Sequence, residues 1–297
     1  MKARIMLANQ QHKVPSQHRQ PLSRSATAAP TWHPQGHGQH GASNWNQTVR
    51  FAGILIAILV TVYVLVGVGV NYAADRLSDE TETQLFAGYS KIFLKPEAAA
   101  TPKKVNFLTA EGIFKRLTER KDLRKLNYQL FYDDSSLPNA FAAPGGGVSI
   151  TAGLLDMVTG EVGLAMVLGH ELGHHQARHA LRGLGRGIAL SLIIGVFFGG
   201  DNALVTGALG LAEASHSRSQ EHAADAMGLK LVYETMGTTK GAFEFFEDIH
   251  KLKEKGDSKF ARLMSSHPYT PDRIAALRKL EVKLISKPEK KSRQPNN

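Results

Sequence analysis

The longest apolar run in the chain, Phe51 to Val70, has twenty residues and no charge. A helix needs about 20 such residues to cross roughly 30 Å of hydrocarbon, so the run predicts one transmembrane anchor over 51–70. It is too long for the core of a signal peptide and begins too far from the terminus. A second apolar run, Gly187 to Phe198, has only twelve residues and is too short to span alone. It reads as a buried helix, with a helix dipping into the membrane surface as the alternative. Leu126 to Tyr132 alternates apolar and polar residues and predicts a half-buried strand. Asn139 to Thr151 reads as a strand pair around a Gly-rich turn, with Pro144 better suited to an edge strand than a central one. Thr109 looks like the cap of a helix near 110–120, Thr159 can cap the helix that follows it, and from there the pattern is helical almost to the end. The predicted class is α+β: a mostly helical domain with a small β-sheet, behind one N-terminal transmembrane helix.

The polar stretches divide the chain further. Residues 1–49 are rich in Gln, His, Pro, Ser and Gly, show no apolar period, and read as a disordered tail. His33, His37 and His40 belong to that tail and read as polar filler rather than a site. Residues 71–104 read as a connector with helical segments, 105–280 as the folded domain, and 281–297 as a basic C-terminal tail.

Charge narrows the partners. The net charge is +10, but residues 1–50 hold six basic residues and no acid, and the last seventeen hold five basic residues against two acids. The domain between them is close to neutral, so a nucleic-acid-binding face is not supported. Arg50 and the basic tail precede the apolar run, while Asp75, Asp79, Glu80 and Glu82 follow it. The positive-inside rule then keeps the N-terminus cytoplasmic and sends the domain to the other side, as a single-pass inner (cell) membrane protein with its domain periplasmic or extracytoplasmic. There is no cysteine. That removes disulfides, cysteine-held zinc, iron–sulfur clusters and thiol catalysis together.

The chemistry centres on His170-Glu171-Leu172-Gly173-His174. On a helix, i and i+4 share a face, so both imidazoles can reach one zinc ion, and Glu171, one residue round, can act on the water beside it as general base. Gly169 and Gly173 weaken an isolated helix, which implies close approach of another backbone. Catalytic zinc needs a third protein ligand and one open position. Ala177 and Ala180 stand where a metzincin would have Gly and His, so that class is out; the thermolysin-like alternative takes a Glu from a later helix, against the plainer reading of a solvated acidic face. Glu221 and Asp225 stand at i and i+4 on a predicted helix rich in small residues: Glu221 can be the ligand, and Asp225 can orient a ligating imidazole. In His267-Pro-Tyr-Thr-Pro-Asp-Arg273, His267 and Arg273 can donate to an oxyanion, or else Pro271 simply opens the last helix and Arg273 makes a surface ion pair. His175, His179 and His222 are candidates for a blocking fourth ligand, with helix-surface or supporting histidines as the plainer reading.

These motifs, in this order, with Asn139-Ala-Phe-Ala and its Gly-rich continuation before them, resemble the CAAX-prenyl-protease/HtpX-like gluzincin metallopeptidases over about 105–280. The chain is most similar to the BepA/LoiP-like membrane-associated members, since the 46 residues between His174 and Glu221 leave little room for two further spans. The resemblance implies one zinc per chain held by His170, His174 and Glu221, and Glu171 as base. It implies supporting or transition-state roles for Asp225, His267 and Arg273. It also implies a substrate strand laid along Asn139, Ala140, Phe141, Gly146 and Gly147. The implied function is zinc-dependent endopeptidase action on unfolded or misassembled envelope or membrane proteins. The partners are then those substrates and the lipid bilayer, with an oligomer possible. A multi-span peptidase and a non-catalytic zinc-containing chaperone are the alternatives.

Overall fold

The charge-free segment lies within α1, Gly41–Arg76, in the computed structural model, which describes residues 41–93, 104–198, 216–254, 266–268 and 270–286. Residues 1–53 and 54–297 group as two units, and the described part of the first is the opening of α1. The stretch Trp45–Arg76 is long and apolar enough to cross a bilayer, and none of its most apolar window is buried in the protein. Ile54, Leu55, Ile58 and Leu59 are each more than half exposed, a surface that lipid can cover and water cannot. The helix starts at Gly41, so residues 41–49 are helical where their polar composition predicts no regular structure. Extending a helix costs far less than nucleating one, and the apolar segment carries its polar neighbours along. The remaining tail, 1–40, with His33, His37 and His40, lies outside the described residues, as do 94–103 of the connector.

Helix α2, Asp79–Phe93, opens on Asp79, Glu80 and Glu82, with the Ser78 hydroxyl accepting from Thr81 N at 3.1 Å. A capping serine and first-turn acids both suit a helix N-terminus. Arg124 locks this helix to the body. Its guanidinium reaches Asp79 and Glu82 at 2.6 Å each and donates to the His175 carbonyl at 2.9 Å. Helix α3, Lys104–Thr118, buries Ala110, Ile113, Phe114 and Leu117, one stripe at helical spacing. It begins five residues before Thr109, which is therefore interior and not a cap; no Pro or Gly in 104–108 interrupts it.

The sheet has strand order β1-β3-β2: β1 is Gln129–Asp133, β2 Ala140–Ala143 and β3 Gly147–Thr151. β3 is wholly buried, parallel to β1 and antiparallel to β2. The β2–β3 turn needs glycine. Gly146 has φ 108°, and a Cβ there would stand 2.6 Å from the Asn127 carbonyl oxygen.

Thr151 caps the short α4, Ala152–Met157, and leads to α5, Glu161–Gln176. The residue before α5 is Gly160 with φ 81° and no side-chain cap, so Thr159 does not cap it; the left-handed entry needs glycine one residue later. Helix α5 is buried on nearly every side and packs backbone to backbone on α7, Arg218–Met236. A Cβ on Gly173 would sit 2.7 Å from the Ala224 carbonyl oxygen, and one on Gly228 would sit 2.8 Å from His170 N. Ser217 and Gln220 form a reciprocal capping box at the start of α7, and left-handed Gly237 ends it. Helix α9, Pro271–Ile285, carries Leu277 into the core with Leu117, Ile150, Leu154, Met166, Leu168, Leu172 and Leu229. Each such side chain contributes about 1.5–3 kcal/mol of burial energy. The first residues of the expected C-terminal tail, 281–285, belong to α9, and 287–297 lie outside the described residues.

The shorter apolar run is part of α6, His179–Phe198. This helix is not a buried core helix: Leu192 is 66% exposed and Ile188 45% exposed. Residues 199–215, which bear on membrane entry of 187–212, lie outside the described residues. Between α7 and α9, α8 spans Glu244–Glu254.

Candidate metal centre

His170 and His174 project from one face of α5, one turn apart, with their Nε2 atoms 3.1 Å from each other. The Gly173–Ala224 and Gly228–His170 contacts bring α7 close enough for a short Glu side chain to reach them. Glu221 Oε1 lies 3.4 Å from His174 Nε2, and Oε2 lies 3.5 Å from His170 Nε2. His267 adds a fourth atom. Its Nδ1 stands 3.2 Å from His170 Nε2 and 3.3 Å from Glu221 Oε1. All four side chains offer ligand atoms within 4.8 Å of one another.

The spacing decides what this arrangement fits. Ligands about 2.0–2.1 Å from one tetrahedral ion lie about 3.3 Å apart from each other. The observed separations, 3.1 to 3.5 Å, bracket that edge. Burial holds the His174 imidazole well below its ordinary pKa despite Glu221 beside it, so it is neutral and has a lone pair to give. The donor set, imidazole nitrogens with one carboxylate, suits a divalent transition-metal ion. Burial alone would raise the Glu221 carboxyl, but His174 and His267 beside it hold it far below the carboxylate range.

A second layer holds the ligands in place. His170 Nδ1 bonds Asp225 Oδ1 at 2.9 Å. Arg273 donates to both Asp225 oxygens at 2.7 Å, to the Pro268 carbonyl at 3.0 Å, and lies 2.6 Å from Glu221 Oε2. The last contact is a close ion pair, not an aligned hydrogen bond. Arg273 is 4% exposed, so it is no surface ion pair, and all three of its nitrogens are engaged within the site. Asp225 would be raised by burial, but Arg273 and His170 hold it below the ordinary value.

Glu171 projects from α5 beside the ligands. Its Oε1 is 3.5 Å from His267 Nε2, while Oε2 is buried with no protein partner. Glu171 also lines a cavity with Ala140, Met166, Val167, Phe246, Ile249 and His267 among others. Burial alone would strip the His267 proton, but Glu171 and Glu221 raise its pKa to about 9.

The proposed substrate residues divide. Ala140 and Phe141 lie on edge strand β2, directly after Asn139. His267 Nε2 donates to the Ala140 carbonyl at 3.3 Å, and Ser266 Oγ donates to Asn139 Oδ1 at 3.2 Å, so this end of the strand meets the site. Gly146 and Gly147 do not. They lie at the opposite end of β2, in the turn and on central strand β3, and their carbonyls already accept from Gln129 N and His175 Nε2 at 3.1 Å each. Both glycines shape the turn and offer no free edge. His175, buried and held at about 4 by that burial, therefore braces β3. His179 contacts His174, and His222 is half-buried on α7. His216 carried no motif, yet its ring stacks on that of His174 at 3.9 Å. Phe246 and Ile249 were equally silent in sequence because an apolar helix face looks the same whether it meets a core or a cavity.

Comparison with known proteins agrees with this geometry. A family model described as peptidase family M48 matches residues 106–281. The chain is also 32% identical over 181 residues to a protein of Schizosaccharomyces pombe named mitochondrial metalloendopeptidase OMA1. The aligned part is 59% of this chain and 52% of the relative, so the chain spans about half the length of the curated relative it matches.

Proposed function

Because the chain belongs to peptidase family M48, we propose that it is a membrane-anchored zinc endopeptidase that cleaves unfolded or misassembled proteins at the membrane. The observation that carries this reading is the convergence of His170 Nε2, His174 Nε2 and Glu221 within 3.1–3.5 Å of one another, beside a carboxylate with a free buried oxygen. His170, His174 and Glu221 hold one zinc ion, which supplies Lewis acidity and lowers the pKa of water towards 7. Glu171 takes the proton from the attacking water and returns it to the leaving amine. His267, an N–H donor facing Glu171, stabilises the carbonyl oxygen as it becomes negative. Asp225 and Arg273 orient the ligands.

The substrate backbone lies along β2, reading Asn139, Ala140 and Phe141, as an added strand. Main-chain pairing of this kind tolerates many sequences, which suits unfolded chains. Helix α1 anchors the enzyme with the basic N-terminal tail cytoplasmic and the catalytic domain on the other side. The quality-control role follows the resemblance to the BepA/LoiP-like peptidases, and the anchor and polar tail depart from their secreted members.

The test uses the full chain in detergent, with unfolded casein as substrate. The wild type should hold one zinc per chain and cleave; His174→Ala should lose the zinc; Glu171→Gln should keep zinc and lose cleavage. Equal cleavage by wild type and Glu171→Gln would remove this mechanism.

A further inference from the structure

The two helix-borne imidazoles are held by different groups. His170 leans on a carboxylate, Asp225, itself clamped by Arg273. His174 has no such partner. Its Nδ1 lies 2.9 Å from Nδ1 of His179, the first residue of α6, and both rings are buried. We infer that His179 is the positioning residue of His174: its Nδ1 lone pair accepts the His174 Nδ1–H, which fixes the ring plane and turns Nε2 towards the metal position. This rests on the zinc reading above and adds to it a residue that the metal-site motifs do not contain.

The local backbone is shaped for this contact. Only Ala177 and Arg178 separate α5 from α6. Arg178 is the sole non-glycine residue with positive φ among those described, at 56°. That conformation is unfavourable for a residue with a Cβ and persists where surroundings impose it. Here Arg178 N donates to the His175 carbonyl at 3.0 Å, and its guanidinium bonds the Ala74 carbonyl and, at 3.3 Å, Asp79. The sharp reversal brings His179 back over His174 five residues after it. His216 also packs on the His174 ring, stacked at 3.9 Å between centroids.

The rival reading is a second metal site, since His174, His179 and His216 also offer ligand atoms within 4.8 Å of one another. The distance argues against it. At 2.9 Å the two nitrogens are at ordinary hydrogen-bond separation, shorter than the roughly 3.3 Å expected between ligands of one tetrahedral zinc. His174 would also have to lose both ring protons to serve two ions.

The experiment compares His179→Asn with His179→Leu in the full chain. The two replacements have nearly the same shape, and only Asn keeps an acceptor near the Nδ1 position. Zinc affinity is read by competition with a chelator, zinc stoichiometry by elemental analysis, and folding by the melting temperature of the zinc-free protein. His179→Leu should bind zinc about 10–100-fold more weakly than wild type, the usual effect of losing a group that orients a metal ligand. His179→Asn should recover most of that loss, with zinc-free melting temperatures matching. Equal affinity of the two variants, whether both wild-type-like or both weak, would overturn the assignment. Two zinc ions per wild-type chain, one of them lost in either variant, would replace it with a second metal site. A wild type that binds no zinc would overturn this inference and the zinc reading together; an intact wild-type site with equal variants sinks this inference alone.

Discussion

Arg273 grips both oxygens of Asp225 at 2.7 Å, and Asp225 bonds His170 at 2.9 Å, so a residue of the last described helix sets the angle of an imidazole on α5. The guanidinium fork makes this possible because its two donors are fixed in one plane. Arg273→Lys keeps the charge and loses the fork. It should weaken metal binding about 10–100-fold, measured by chelator competition. Arg273→Ala leaves two buried carboxylates without their cation and should cost about 3–5 kcal/mol in stability, measured by denaturant unfolding. Full metal affinity in Arg273→Lys would show that charge alone suffices.

The approach of α5 to α7 gives a second expectation. A Cβ at Gly173 would meet the Ala224 carbonyl oxygen at 2.7 Å, so Gly173→Ala must push two helix backbones apart. Overpacking of this kind costs about 1–3 kcal/mol. It should also weaken metal binding, because Glu221 moves with α7. Gly112 on α3 is the control. Nothing lies within 4 Å of a Cβ there, and Gly112→Ala should be neutral or stabilise by about 0.5–1 kcal/mol through helix propensity. Similar melting temperatures for the two variants would contradict the close packing.

These contacts show what could be read from residues alone. The helices carrying His170, Glu171, His174, Glu221 and Asp225 were legible because ligand spacing and helical period coincide, and Gly169 and Gly173 announced a close neighbour. The first strand was legible from alternation, and the strand pair after it from the Gly-rich turn. Cap positions were not. Thr109 and Thr159 have the right chemistry, but a helix starts where backbone and packing allow, and here those points were Lys104 and Gly160. Gly146 and Gly147 looked like part of a substrate edge because a sequence does not say which strand of a pair lies at the centre. Long-range partners such as Glu82 with Arg124, or His216 with His174, carry no local signature at all.

The Arg124 network predicts acid sensitivity. Burial alone would raise the Asp79 carboxyl, but hydrogen bonds from Arg124 and Lys125 N, with the charges of Arg124 and Arg178, lower it below 3.8. A carboxyl with a folded pKa below its unfolded value stabilises the fold fully above the unfolded value and loses that effect as pH falls through the folded one. Asp79→Asn should therefore be less stable than wild type by a constant margin between pH 7 and 5. The margin should shrink below about pH 4. Urea unfolding at pH 7, 5 and 3.5 measures it, and a margin that grew on acidification would reverse the assignment.

The cavity beside Glu171 leads to a cleavage preference. Its wall combines Leu154, Met166, Val167, Phe246 and Ile249 with the site residues His170, Glu171 and His267. An apolar wall against the base position favours a substrate that places a large apolar side chain next to the bond being cut. Burying such a side chain contributes about 1.5–3 kcal/mol, and a cavity discriminates about 10–200-fold per methylene gained or lost. Fragments of unfolded casein, sequenced by mass spectrometry, should be enriched in Leu, Phe, Met or Ile at one fixed position beside the cleaved bond. Ile249→Phe, which enlarges a wall residue that is not one of the ligands, should shift that preference towards smaller residues and leave zinc content unchanged. Fragment ends with no apolar enrichment, or an Ile249→Phe pattern identical to wild type, would assign the cavity to the core and not to the substrate.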